Sequence, residues 1–432
     1  MDKITGRPKS REVFERTKRT LAGGAGSAAR VFPEPLIIER AQGSRLFDVD
    51  GNEYIDLLCA YGPLILGHAN QAVNKAVIAQ MAKGTTYGTS CELEYMAAEA
   101  VAKLVPCIDL VRFSCSGSEA NHNCARLARA YTGRDKIVKF EGHFHGTIDD
   151  LYISVKPSPP IGLPHAPWKM RQTPGQPENV TENIIVLPWN ELDAIEETLK
   201  HSSHEIAAVI MEPVMLNNGG IMPQAGYLTG VRELTKKYDV LLIFDEIITG
   251  FRLAMGGAQE YFGVVPDLCV FAKAVANGYP VSGFGGRRDI MGLVATNEVP
   301  QYGTYNAIPL SLAAVVATLQ ELSKDNSQAI RHALEIGAKI RAGLSDLFQK
   351  YDFPMKAEGI DTCFVLVSPV VELRNYRDFL KLDFNVIHRF HAEMMSRGIL
   401  YMQRGNMMTS AAHTDEDVAQ TLEAAEQVIR NW

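Results

Sequence analysis

Short apolar runs alternate with amphipathic ones through the middle of the chain, and this alternation restricts the fold more than any other feature. The apolar runs occupy residues 110–113, 136–140, 183–187, 206–211, 240–244 and 267–271. Several are continuously apolar, as strands covered by helices on both faces must be. Between the first two, Ala120, Cys124, Leu127, Ala128 and Tyr131 recur at helical spacing and Gly133 ends the run. A helix over 118–131 therefore follows a loop at Ser116. The expected fold class is α/β, with a large domain built on a mostly parallel sheet flanked by helices, plus a smaller α+β domain.

The stretch 156–183 carries Pro157, Pro159, Pro160, Pro164, Pro167, Pro174 and Pro177 and reads as a long excursion from the sheet. Beyond Pro309 the pattern turns to long helices over 310–324 and 328–350. The expected division is an N-terminal segment 1–75 that joins the small domain and the substrate site, a large cofactor-binding domain 76–310, and a C-terminal small domain 311–432. With 43 basic residues against 50 acidic ones and no dominant basic tract, a nucleic-acid partner is disfavoured. Seven cysteines without a C-x-x-C pair fit a reduced, cytoplasmic setting. Residues 1–19 lack the apolar stretch of a secretory signal, and no run of apolar residues is long enough to span a membrane.

Four motifs sit at the ends of the apolar runs. Phe244-Asp245-Glu246-Ile247 ends a strand in two acids, at the sheet edge where α/β proteins bind ligands, although Asp245 equally suits the cap of a following helix. Phe271-Ala272-Lys273 ends another in a lysine. Buried, it would be a nucleophile able to form a Schiff base; otherwise it is a solvated lysine. Ser116-Gly117-Ser118 opens a helix and offers N–H groups, hydroxyls and the positive end of the helix dipole to a phosphate, although Ser118 before an acid is also an ordinary helix start. His143-Phe144-His145 spaces two histidines for metal ligation, but Thr147 and Ile148 stand where a metal-dependent hydrolase needs further ligands. No metal is expected, and Phe144 is better suited to lie on a planar ring. The glycines of Gly283-Phe284-Gly285-Gly286 do not form the G-x-G-x-x-G turn of a dinucleotide site.

A strand-end acid, a strand-end lysine, a phosphate turn and a stacking aromatic meet the needs of pyridoxal 5'-phosphate. With Gly303-Thr304 and Pro309, these segments resemble the class III aminotransferases of fold type I. The resemblance narrows towards the glutamate-1-semialdehyde 2,1-aminomutase group through Gly23–Arg30, Asp48–Asn52, Tyr61-Gly62-Pro63, Gly256–Gln259 and Ser410–Thr414. It implies that Lys273 carries the cofactor, Asp245 keeps its ring nitrogen protonated, and Ser116, Gly117 and Ser118 hold its phosphate. Phe144 and Ile247 would cover the ring faces, and His145 and Glu212 belong to the same shell. Gly303 and Thr304 would reach the phosphate from the second subunit of a homodimer. Ser27, Arg30 and Tyr61 would face the substrate, with Arg30 otherwise a surface cation.

Two departures bear on the reaction. Tyr61 stands where the aminomutases have Trp, and Met402-Gln403-Arg404-Gly405-Asn406 replaces their Ser-Gln-Phe-Glu-x-Gly-Phe segment, so an acid is lost and Arg404 gained. In related aminotransferases an arginine here holds a substrate carboxylate, while a solvent-facing Arg404 is the plain alternative. The expected activity is amino transfer between an α- or β-amino acid and a keto acid, with the aminomutase and an amino-acid epimerase as rivals.

Overall fold

The computed structural model describes residues 4, 6–369 and 372–432. Of the N-terminal stretch 1–19, residues 1–3 and 5 lie outside the described residues.

Seven strands form the central sheet: β1 (Leu110–Ser114), β2 (Lys136–Phe140), β3 (Ile184–Leu187), β4 (Ile206–Met211), β5 (Leu241–Glu246), β6 (Leu268–Phe271) and β7 (Ser282–Gly286). Their spatial order is β1-β7-β6-β5-β4-β2-β3. From β6 to β3 all neighbours are parallel, while β7 runs antiparallel to both β6 and β1. Every residue of β4 is buried, as its unbroken apolar run requires.

Six strands lie where the apolar runs predict them; β7 does not announce itself. Three of its five residues are glycine, which reads locally as a turn. The reason lies in its neighbours. A β-carbon on Gly283 would come within 2.4 Å of the Phe271 ring, and one on Gly286 within 2.3 Å of the Asp267 carbonyl. The sheet closes at this point only because the side chains are missing.

β5 also extends past its apolar run, so Asp245 and Glu246 are strand residues paired with Val270 and Phe271. Glu246 is buried and spent on structure: its carboxylate accepts from the N–H of Ala258 at 2.5 Å, the Thr249 hydroxyl at 2.9 Å and the Gln259 amide at 3.0 Å. These bonds fix the start of the helix Gly257–Phe262. Asp245 takes no part in these bonds.

The helix after β1 spans Gly117–Thr132. Ser116 accepts from the Glu119 N–H while the Glu119 carboxylate accepts from the Ser116 N–H, a reciprocal cap. Gly133 closes the helix with φ of 64°. Ala120, Cys124, Leu127 and Ala128 are buried against the sheet.

The excursion after Lys156 holds a small hairpin, Gly162–Leu163 with Ala166–Pro167, and a turn at Glu178–Thr181. Helices Pro309–Ser323 and Gln328–Lys350 then lead to a three-stranded sheet of Lys356–Ile360, Cys363–Val367 and Asn406–Met408. A further sheet joins the two ends of the chain, because Glu53–Asp56 pairs in parallel with Ile399–Leu400.

Gly283→Val should lower stability by about 2 kcal/mol through overpacking between β6 and β7. Gly292→Ala, in the helix Arg288–Ala295 with no atom within 4 Å of the added carbon, should raise it by about 0.5–1 kcal/mol. Denaturant midpoints of both variants check the pair.

Candidate active site

β1, β2, β4, β5 and β6 all end at the same edge of the sheet, and the residues at those ends surround a cavity of about 180 Å³. Of the residues predicted from sequence, Gly117, Ser118, Phe144, Glu212, Asp245, Ile247 and Lys273 line it. Gly146, Val214, Asn217, Ile248 and Thr249 complete the wall.

Lys273 follows β6 in a left-handed conformation with φ of 50°. Its ammonium has no hydrogen-bond partner among the described residues. Burial lowers its pKa to about 8, against the pull of Glu212 and Asp245. About a tenth of it is therefore neutral at pH 7, far more than for a free lysine. Above it lies the turn Cys59-Ala60-Tyr61-Gly62, whose four residues all have positive φ. A β-carbon on Gly62 would sit 3.6 Å from the Lys273 stem and 3.4 Å from Met408 Sδ. The buried Arg252 guanidinium holds this strained turn, donating to the Gly62 carbonyl at 2.5 Å, the Thr409 carbonyl at 2.9 Å and Thr362 Oγ1 at 3.1 Å.

The Asp245 carboxylate is buried and oriented by three groups. Asn121 Nδ2 donates at 2.8 Å, the Ile247 N–H at 3.1 Å, and His145 Nδ1 lies 2.7 Å away. Desolvation nonetheless raises its carboxyl to about 7. Asn121 was not singled out from sequence, although it stands one helical turn past Gly117 on the face towards the sheet. His143 and His145 do not converge on a metal position. His143 Nδ1 accepts from the Glu212 N–H at 3.0 Å and its ring packs on Trp189, with centroids 4.6 Å apart. Beneath them the buried Lys139, read only as part of a strand, donates to the His143 carbonyl at 3.0 Å and to the Ile153 carbonyl. Burial brings its pKa to about 7.

Glu212 accepts from the Phe144 N–H at 2.8 Å and from Asn217 Nδ2 at 3.0 Å, which fixes the Phe144 loop over the cavity. Burial raises its carboxyl to about 7. At the far wall the cap at Ser116 leaves the N–H groups of Gly117 and Ser118 outside the helix's own bonding. Glycine is required at 117, because a β-carbon would lie 2.4 Å from Ile247 Cδ1. Ser118 Oγ accepts from the Thr147 N–H at 3.2 Å.

The remaining predicted residues lie outside the cavity wall. The Tyr61 hydroxyl donates to the Ala29 carbonyl, which sets Tyr61 beside Arg30; Ser27 and Arg30 are exposed. Arg404 is largely turned away from solvent: its Nε donates to Asn406 Oδ1 at 3.1 Å, and its charge acts on Tyr61, Glu212 and Lys273. Gly303 and Thr304 are exposed, and Gly303 borders a separate cleft with Arg112 and Tyr302. Within one chain they do not reach the cavity.

A partnerless buried lysine, a buried carboxylate held by neutral donors, a free helix start and an overlying aromatic fit pyridoxal phosphate at each of its ends. The fold is that of the fold-type I pyridoxal-phosphate enzymes. Residues 27–429 match the family described as Aminotransferase class-III, and the chain belongs to it. It is 42% identical over 425 residues to a glutamate-1-semialdehyde 2,1-aminomutase of Methanocaldococcus jannaschii, covering 98% of each chain. Its structure is similar to an omega-transaminase from Sphaerobacter thermophilus, with TM-score 0.92, 31% identity and 98% of each chain covered. It is also similar to a glutamate-1-semialdehyde-aminomutase from Pseudomonas aeruginosa PAO1 in complex with PMP, with TM-score 0.88, 26% identity, and 98% and 94% covered.

A carboxyl raised from 3.8 to about 7 binds its proton more tightly folded than unfolded. Its stabilisation is complete at low pH and is lost as pH rises to about 7. In the cofactor-free protein, Asp245→Asn should therefore raise Tm over wild type by more at pH 8 than at pH 5, measured by thermal unfolding.

Proposed function

We propose that the protein transfers an amino group between an amino acid, α or β, and a keto acid. The observation that carries this reading is Arg404, an inward-turned guanidinium with no carboxylate partner among the described residues and with its charge felt at Lys273. A planar guanidinium offers two parallel donors and so orients a carboxylate as well as attracting it.

Bound pyridoxal phosphate supplies a carbonyl that condenses with amines and a protonated ring that accepts an electron pair. Lys273 would hold it, and its neutral Nζ would take a proton from the substrate carbon and deliver it to the cofactor. Asp245, oriented by Asn121 and His145, keeps the ring nitrogen protonated through a charge-assisted hydrogen bond. Ser116, Gly117 and Ser118 bind the phosphate. Phe144 and Ile247 flank the ring, with Glu212 fixing the Phe144 loop. Ser27, Arg30, Tyr61 and Arg404 face the substrate. Gly303 and Thr304 complete the phosphate site of a second copy, which makes the enzyme a homodimer. A fully active monomer under assay conditions, detected by light scattering, overturns that assembly.

A second reading, the aminomutase reaction, is favoured by the 42% identity to the archaeal aminomutase. A panel of α- and β-amino acids with pyruvate or 2-oxoglutarate separates the two. Amino transfer to a keto acid is expected. Efficient conversion of glutamate 1-semialdehyde to 5-aminolevulinate without any such transfer replaces our reading with the aminomutase. Arg404→Ala should raise KM for amino acids by about tenfold or more, the cost of one charge-assisted hydrogen bond. Simple amines, which lack the carboxylate, should keep their kcat/KM in steady-state assays.

A further inference from the structure

Arg252 takes no part in the chemistry assigned so far, and its guanidinium is wholly buried. No carboxylate pairs with it among the described residues, and its Nε has no hydrogen-bond partner. A buried charge without a counter-ion is a cost to the fold, and an apolar side chain of similar volume is often no worse. Stability alone is therefore a poor reason for a guanidinium here.

Its bonds cross between two groups of elements. The residues assigned to the cofactor stand at the ends of the central sheet, and Arg252 is built into that group. Ile247, Ile248 and Thr249 of its loop line the cavity, and the Phe251 ring packs edge-on against Phe271, two residues before Lys273, with centroids 6.0 Å apart. Tyr61 and Arg404 come from elsewhere, Tyr61 from the turn 59–62 and Arg404 from the approach to the strand Asn406–Met408. Arg252 reaches both segments. Its Nη2 donates to the Gly62 carbonyl at 2.5 Å, while its Nη1 donates to the Thr409 carbonyl at 2.9 Å and to Thr362 Oγ1 at 3.1 Å. The Thr409 N–H donates in turn to the Thr362 carbonyl at 3.2 Å, and at the other end of the strand Asn406 accepts from Arg404 at 3.1 Å. One planar fork thus joins the turn that carries Tyr61 to the strand beside Arg404 at a fixed angle, which the point charge of an ammonium does not fix.

We propose that Arg252 is a positioning residue for the substrate, setting Tyr61 and Arg404 over the cofactor without itself holding the cofactor. The inference rests on the proposed role of Tyr61 and Arg404 as substrate contacts. Asp245 and the turn at 116–118 take their bonds from Asn121, His145 and Glu119, so cofactor affinity does not depend on Arg252.

Arg252→Lys keeps the charge and loses the fork. Its Kd for pyridoxal phosphate, from titration of the cofactor-free protein, should stay within about twofold of wild type, with the visible band of the holoenzyme unshifted. KM for the amino donor should rise about tenfold while kcat stays within about threefold. Hydrogen exchange should quicken in 59–62 and 404–409 and stay as in wild type in 241–246. Thr362→Val removes one acceptor and leaves the fork, so KM should rise about twofold to threefold in the same pattern. It decides the matter if Arg252→Lys does not fold. An unchanged KM, or a cofactor Kd weakened as much as KM, overturns the proposal. Failure of the amino-transfer reading appears separately: wild type then transfers nothing to keto acids, and the same split is measured with glutamate 1-semialdehyde as substrate.

Discussion

Desolvation of charge at one edge of the central sheet is the constraint on which the rest of the site depends. Asp245, Glu212 and Lys139 are buried and Lys273 is half-buried and desolvated, and no two of them form an ion pair within 4 Å among the described residues. Burial disfavours the charged form of each, so both carboxyls rise to about 7 while the two lysines fall to about 8 and 7. Four groups that would be inert at neutral pH on a surface are brought close to the point where they can exchange protons. The neutral donors around Asp245 orient its carboxylate without neutralising it, which leaves its charge available to a cationic partner.

Keeping such groups apart and in place requires backbone that local preference would not choose. The turn from Cys59 to Gly62 runs through four positive φ values, and Lys273 itself is left-handed. Strain of this kind persists only where the surroundings over-determine it. Arg252 does so here by tying the Gly62 carbonyl to Thr362 and Thr409. Because Thr409 directly follows the strand Asn406–Met408, the C-terminal part of the chain is coupled to the turn that covers Lys273.

Much of this arrangement was legible in the sequence, and what was missed has definite causes. Apolar runs, several of them unbroken, marked six strands, and the unbroken ones answer to burial on both faces. β7 escaped because its glycines answer to the Phe271 ring and the Asp267 carbonyl, neighbours far away in sequence. Lys273 and Asp245 were found because a charge at the end of an apolar run stands out. Asn121, Lys139 and Arg252 were not, because a polar residue on an amphipathic helix, in a strand or in a turn carries no local sign that it is buried. Gly303 and Thr304 lie away from the cavity of their own chain, so no reading of a single chain places them in it.

The sequence by itself determined the α/β class, the strand order in the chain and the chemical identities gathered at the strand ends. These follow from periodicity and residue type, which are local properties. Only the tertiary structure decided which of two adjacent acids faces the cavity, Glu246 being taken by the helix Gly257–Phe262 while Asp245 lines the cavity wall. It likewise turned Arg404 inward, where Asn406 accepts from it and is itself tied to the Leu216 carbonyl. The reason is physical: the effective charge of a side chain depends on the water and dipoles around it, and residues distant in sequence supply those.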